Sequence, residues 1–168
     1  YDCGVAIVRE EAHLRQAMSF TAAYLPEAEA DERDPSHYVP ELSRRARGFA
    51  TWAVLRALGR SGVAELIERH CRIAAALAER LATAPGVAIL NDVELNQVAV
   101  RFGDSDELTL RTIARIQQDG VLMAGASAWR GQQIMRLSVS GGATDDAEVE
   151  PTVTAILAAW EATGTTAG

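Results

Sequence analysis

The hydrophobic rhythm of the chain changes at Pro85-Gly86, and that change limits the folds open to it. Before it, Val63, Leu66, Ile67, His70, Ile73, Ala74, Leu77 and Leu81 recur at three-to-four spacing, with Glu65, Glu68, Arg69, Arg72, Glu79 and Arg80 on the other faces. This is the pattern of an amphipathic helix. After it come shorter units. Residues 87–90 and 95–102 read as strands, the second with Val98, Val100 and Phe102 on one face, and 106–118 as a helix closed by Gly120. Residues 121–129 and 133–140 read as a hairpin about Arg130-Gly131. A last helix is expected over about 145–163, capped near Asp145 and starting late or kinked at Pro151, which has no N–H to give. The order β-β-α-β-β-α predicts a small α+β domain over 86–168, an antiparallel sheet with helices on one face.

Strand 133–140 carries one charge on an otherwise ordinary pattern. Met135, Leu137 and Val139 fall on one face, a core face; Ile134, Arg136, Ser138 and Ser140 fall on the other. A guanidinium among small hydroxyl residues is either the solvent side of a half-exposed sheet or a planar fork of donors for a carboxylate.

Composition narrows the function. The chain is 48% hydrophobic and 23% charged, an ordinary globular balance. No apolar run is long enough for a spanning helix, so no membrane role is expected. With 23 acidic against 16 basic residues the net charge is −7, which argues against a nucleic-acid partner, because phosphate binders carry a basic stripe. All 16 basic residues are arginine; the sequence has no lysine. Cys3 and Cys71 lack metal spacing, and His13, His37 and His70 form no ligand pair, so no metal is expected and a reducing, cytoplasmic setting is the default.

Toward the start, residues 4–8 read as a buried strand and 10–18 as a short helix. Residues 27–40, acidic and with two prolines, read as a long loop, either a functional lid or a plain solvated segment; Tyr38 is its one residue with obvious chemical capability. Ser43 is placed to cap a helix whose apolar positions include Ala46, Phe49, Ala50, Ala53, Val54 and Leu58 and which ends at Gly59. The chain thus divides into 1–42, the connecting helices of 43–85, and 86–168.

Y-D-C-G at 1–4, S-R-R at 43–45 followed by W-x-x-L-R and L-G-R-x-G, L-N-Q-V-A-V-R-F at 95–102 and M-R-L-S-V-S at 135–140 occur in a telling order. Together they resemble the C-terminal portion of the group II pyridoxal 5′-phosphate-dependent amino-acid decarboxylases, the family of the aromatic-amino-acid, histidine and glutamate enzymes. The resemblance covers nearly the whole chain. It implies an α/β fold of type I, like that of aspartate aminotransferase, as a fragment: the end of a large cofactor-binding domain with a mobile loop at 27–40, then a complete small α+β domain.

It also implies pyridoxal 5′-phosphate as cofactor, an amino-acid substrate and a homodimer. In that family a His-Lys pair just precedes the Y/F-D-C segment, and its lysine forms the internal Schiff base. A chain without lysine cannot supply that amine from a side chain, so these residues are expected to be inactive alone and to contain no assignable cofactor-binding residue.

Three site residues follow from the resemblance. Arg136 matches the strand arginine that pairs with the substrate carboxylate in glutamate-type members; the serine after it is followed here by Gly141-Gly142 where those members often have asparagine. Ser43 matches a position that lines the neighbouring subunit's pocket, alongside its reading as a helix cap. Tyr38 stands for the loop tyrosine that donates a proton after carbon dioxide has left, although its spacing from S-R-R differs from that of aromatic-amino-acid members. The competing readings are a non-catalytic α+β regulatory or dimerisation module, and a fold-type-I lyase or transferase of another kind.

Overall fold

The computed structural model describes residues 3–19, 33–41 and 43–165. They fall into two compact units, 1–58 and 59–168.

In the first unit, α1 (Glu11–Met18) is followed by a four-residue 3₁₀ turn at Pro35–Tyr38. The turn starts where its residues dictate: Pro35 presets φ, and Asp34 accepts a 2.8 Å hydrogen bond from the Ser36 N–H. The predicted strand at 4–8 is not a strand, and Val5 and Ile7 are exposed. A strand needs a neighbour to satisfy its N–H and C=O groups, and the four strands of the described residues all belong to the other unit. The expected loop falls partly outside the described residues; 33–40 are described, 27–32 are not.

Helix α2 is assigned to Arg47–Ala82, with Gly59 at φ 64°, ψ −175° interrupting it. Glycine enters that region without the Cβ clash that other residues meet, so the predicted end of the first segment at Gly59 holds. Its start does not. The helix begins at Arg47, and Ser43 lies four residues before it in irregular backbone, so Ser43 is not its cap. The 2.8 Å bond from Arg47 N–H to Arg45 O marks a tight turn ahead of the first helical residue.

The second unit is an antiparallel sheet of β1 (Val87–Ile89), β2 (Gln97–Phe102), β3 (Gly125–Trp129) and β4 (Gln132–Ser138), in the order β1-β2-β4-β3. The second segment of α2, α3 (Asp106–Asp119) and α4 (Val149–Thr165) supply the other apolar layer. Val98, Val100, Phe102, Met135 and Leu137 point into a core shared with Ile73, Leu77, Leu81, Ile113, Ile116, Val153 and Ile156. The face read as the core face is buried throughout, and on the opposite face Ala99 and Ile134 are buried as well.

Local chemistry fixes the joints. Ser105 caps α3 through Leu108 N–H, and Gly120 ends it in the left-handed conformation. The fully buried Thr109 hydroxyl both donates to Phe102 O and accepts from Phe102 N–H, each at 3.1 Å, tying α3 to the end of β2. At the hairpin, Arg130 (φ 50°) and Gly131 (φ 82°) both take positive φ, the geometry of a two-residue turn that suits strand twist. Strand β3 starts at Gly125 rather than 121, because 121–124 pair with nothing in the sheet. A 3₁₀ turn at Asp146–Glu148, capped by Asp145, leads into α4; Pro151 falls in the first turn of α4, where its missing N–H costs nothing.

Candidate functional site

The sheet face away from the helices is built from β2, β4 and β3. Register places Ala99 on one side of Arg136 and Gly125 on the other. Neither neighbour carries a long side chain, so the guanidinium stands among small residues and is exposed, with no hydrogen bond or ion pair to another described residue. Ser138 is half-buried and Ser140 exposed on the same face.

Farther along, that face is closed. Continuing the register sets Arg101 opposite Ile134, and Ile134 is only 3% exposed. The Arg101 side chain is 12% exposed. It donates to Asp106 Oδ1 (2.6 Å), Gln133 O (3.1 Å) and Asp104 O (3.1 Å). One arginine of the face is thus consumed in structure, and the other, Arg136, is available to an anion. A planar guanidinium offered without an internal partner suits a carboxylate, which it can engage through two parallel hydrogen bonds.

The strand bearing Arg136 runs past the sheet. Its last pair with β3 is Gly125↔Arg136 and its last with β2 is Gln97↔Ser138. Beyond that, Asn96 holds Val139 through Val139 N–H to Asn96 O and Asn96 Nδ2 to Val139 O, both 2.9 Å. From the other side, Arg69 Nη2 donates to Gly142 O at 2.8 Å and His70 Nε2 lies 2.9 Å from Gly141 O. His70 is 8% exposed, as its place on the apolar face of the helix predicts. Its hydrogen bond joins positions 71 residues apart, and no local pattern carries that information.

Tyr38 and Ser43 belong to the first unit and Arg136 to the second. The Tyr38 hydroxyl donates to Glu11 Oε1 of α1, and Arg33 lies over the ring, 4.4 Å from its centroid. The bond to Glu11 raises the phenol above its usual value, since ionisation would set a phenolate against a carboxylate. Ser43 lines a hollow together with Met18, Ser36, Val39, Pro40, Glu41 and Arg44. Beside it Arg44 pairs with Glu41 and donates to Ser43 O at 2.7 Å. Glu41 is held below the usual carboxylate range, chiefly by its hydrogen bond with Arg44.

The fold recurs in much longer proteins. Catharanthus roseus tryptophan decarboxylase in complex with L-tryptophan superposes with a TM-score of 0.72 at 17% identity, over 89% of this chain and 33% of that one. The Oryza sativa TDC with PLP and tryptamine gives 0.72 at 18%, over 95% and 34%, and mouse CSAD in apo form 0.69 at 16%, over 87% and 33%. The chain therefore spans about a third of these structures, and the likeness assigns the architecture to the type I fold of pyridoxal-phosphate decarboxylases. A shorter sequence match, 36% identical over 73 residues, links 44% of the chain to 15% of a probable glycine dehydrogenase (decarboxylating) subunit 1 from Erythrobacter litoralis (strain HTCC2594). Residues 1–103, from the Y-D-C-G segment through β2, match the pyridoxal-dependent decarboxylase conserved domain, and the chain belongs to that family.

Proposed function

We propose that this chain is the C-terminal part of a pyridoxal-phosphate-dependent L-amino-acid decarboxylase, converting an amino acid to an amine and carbon dioxide, and that its own contribution is to orient the substrate carboxylate. The observation that carries this reading is Arg136, exposed between Ala99 and Gly125 with no hydrogen-bond or ion-pair partner among the described residues. Holding the carboxylate fixes which bond of the substrate is presented for cleavage, a gain from positioning.

The cofactor supplies the electron sink for that cleavage when bound. A covalent hold on it does not fit the residues present: none of the 168 is lysine, and a side-chain imine needs an amine. The chain alone is accordingly expected to be inactive. In the complete enzyme, Tyr38 is the loop residue assigned to proton donation and Ser43 the one assigned to the pocket wall. A cytoplasmic homodimer belongs to the same reading. The exposed Phe49, Trp52, Val54 and Leu55 of the first α2 segment supply apolar surface that an assembly would cover.

The test is complementation. The chain mixed with pyridoxal phosphate and candidate amino acids should give neither imine absorbance nor amine. Preceded by the upstream residues of its gene, it should release both carbon dioxide and amine. Turnover by the chain alone, or none from the extended protein, overturns the reading.

A further inference from the structure

The segment after β4 is held by one more backbone bond to the β2 side, at Val139, and then by side chains. Past Val139 the backbone has left both neighbouring strands, and beside it lies a hollow of about 230 Å³ lined in part by Ile73, Leu77, Met123, Ser140 and Thr144. Yet Ser140 belongs to the same face as Arg136, so whatever fixes Ser140 fixes one end of that face. Asn96 fixes Val139 on one side. On the other, two consecutive residues of α2 reach two consecutive carbonyls, His70 to Gly141 and Arg69 to Gly142.

Three details make this more than packing. A carbonyl oxygen only accepts, so His70 must carry its hydrogen on Nε2 for this contact. Arg69 Nε is buried with no hydrogen-bond partner among the described residues, so the guanidinium gives up solvation to stand where Nη2 meets Gly142. Finally, the turn that presents Gly141 O to His70 is closed by Thr144 N–H to Gly141 O at 3.1 Å, and a Cβ on Gly141 would lie 2.5 Å from Thr144 Oγ1, so a side chain there would displace that hydroxyl.

We propose that His70 and Arg69 are positioning residues that preset Ser140, at the end of the strand, relative to Arg136, so that substrate affinity depends on two side chains that never touch substrate. This rests on the reading of Arg136 as the carboxylate partner. Gln and Leu are the useful replacements for His70: the glutamine amide nitrogen reaches as far as Nε2 and keeps a donor toward Gly141, and leucine keeps the volume without one.

Two measurements on the complete holoenzyme test the proposal: amide hydrogen exchange across residues 139–144, and KM and kcat for the amino acid. His70→Leu should speed exchange in that segment about fivefold, the weight of one neutral hydrogen bond, and raise KM more than it lowers kcat. His70→Gln should restore both. Arg69→Leu should act in the same direction at little cost in stability, because it also removes the unpartnered Nε, and it serves if His70→Leu does not fold. Unchanged exchange in both leucine variants overturns the device. Faster exchange with unchanged KM, in an enzyme whose KM does rise in Arg136→Gln, overturns the positioning role alone. An unchanged KM in Arg136→Gln overturns the carboxylate reading, and the proposal with it.

Discussion

Trp160 of α4 donates from Nε1 to the carbonyl oxygen of Pro85, 3.0 Å away, and its ring lies against the two glycines that flank the β1–β2 pair. Gly86 and Gly103 both have positive φ, and a Cβ on Gly86 would stand 2.8 Å from Trp160 Cζ2. The ring is rigid and packs on Phe102 with centroids 5.7 Å apart, so it cannot step aside cheaply. Gly86→Ala should therefore pay both the left-handed backbone and the collision, about 2–4 kcal/mol together. Gly131→Ala also has positive φ, but its Cβ would meet nothing within 4 Å, so it should lose only the backbone part, about 1–2 kcal/mol. Denaturant midpoints of the two variants separate the terms; equal losses would show that the Trp160 ring yields.

Arg136→Gln should raise KM for the amino acid about 10- to 100-fold, the weight of a charged hydrogen-bonded contact, and Arg136→Lys should recover part of it as a point charge without the planar fork. Thermal stability should hardly move, because the Arg136 side chain is exposed and makes no hydrogen bond or ion pair with another described residue. Substrate kinetics beside a melting curve check this, and a fall in stability matching the loss of binding would mark Arg136 as structural.

Asp106 predicts an acid-sensitive joint. Its carboxylate accepts from Arg101 and from Gln133 N–H, and these hydrogen bonds, that of Arg101 first, hold its pKa below the ordinary carboxylate value. The native state therefore favours the ionised form. That contribution is fully present above the unfolded carboxylate pKa and is lost as pH falls through the lower folded value. Asp106→Asn should flatten the acid limb of the stability profile while leaving the neutral-to-alkaline limb in shape. Urea melts across an acid series would show it, and an unchanged acid limb would mean another carboxylate governs that range.

Tyr38 and Glu11 give a prediction in the alkaline range. Because their hydrogen bond is the main cause of the raised phenol value, Glu11→Gln should bring the Tyr38 titration down toward that of an ordinary tyrosine. The phenolate ultraviolet signal, with Tyr38→Phe subtracted to remove the other tyrosines, isolates it. A titration indifferent to Glu11→Gln would show that this contact does not persist in solution. A phenol kept protonated by Glu11 is in the form a proton donor needs, and it must leave Glu11 before it gives the proton up.

The elements of residues 60–163 were legible because each has a local cause. The period of α2 buries Ile73, Ala74, Leu77 and Leu81; the alternation of β2 and β4 buries Val98, Val100, Phe102, Met135 and Leu137; Gly59, Gly120 and Gly131 sit where positive φ is required. The misreadings also have physical reasons. Residues 4–8 have the composition of a buried strand, but a strand is made by its neighbour, and the first unit contains none among its described residues. Ser43 has the chemistry of a cap, but the turn at Arg45–Arg47 delays the helix beyond its reach.

Arg136 shows where the two sources of information divide. The sequence by itself determined that Arg136 faces away from the core, because alternation along a strand is a property of the backbone, and it determined that the chain has no lysine with which to form an imine. Only the tertiary structure decided that this arginine, and not Arg101 on the same face, is left without a partner among the described residues. It also decided that the strand end beyond Ser138 is held by Arg69 and His70 from a helix some 70 residues earlier. Those facts depend on which strands become neighbours and on what a helix reaches once packed, and long-range pairing leaves no trace in local spacing.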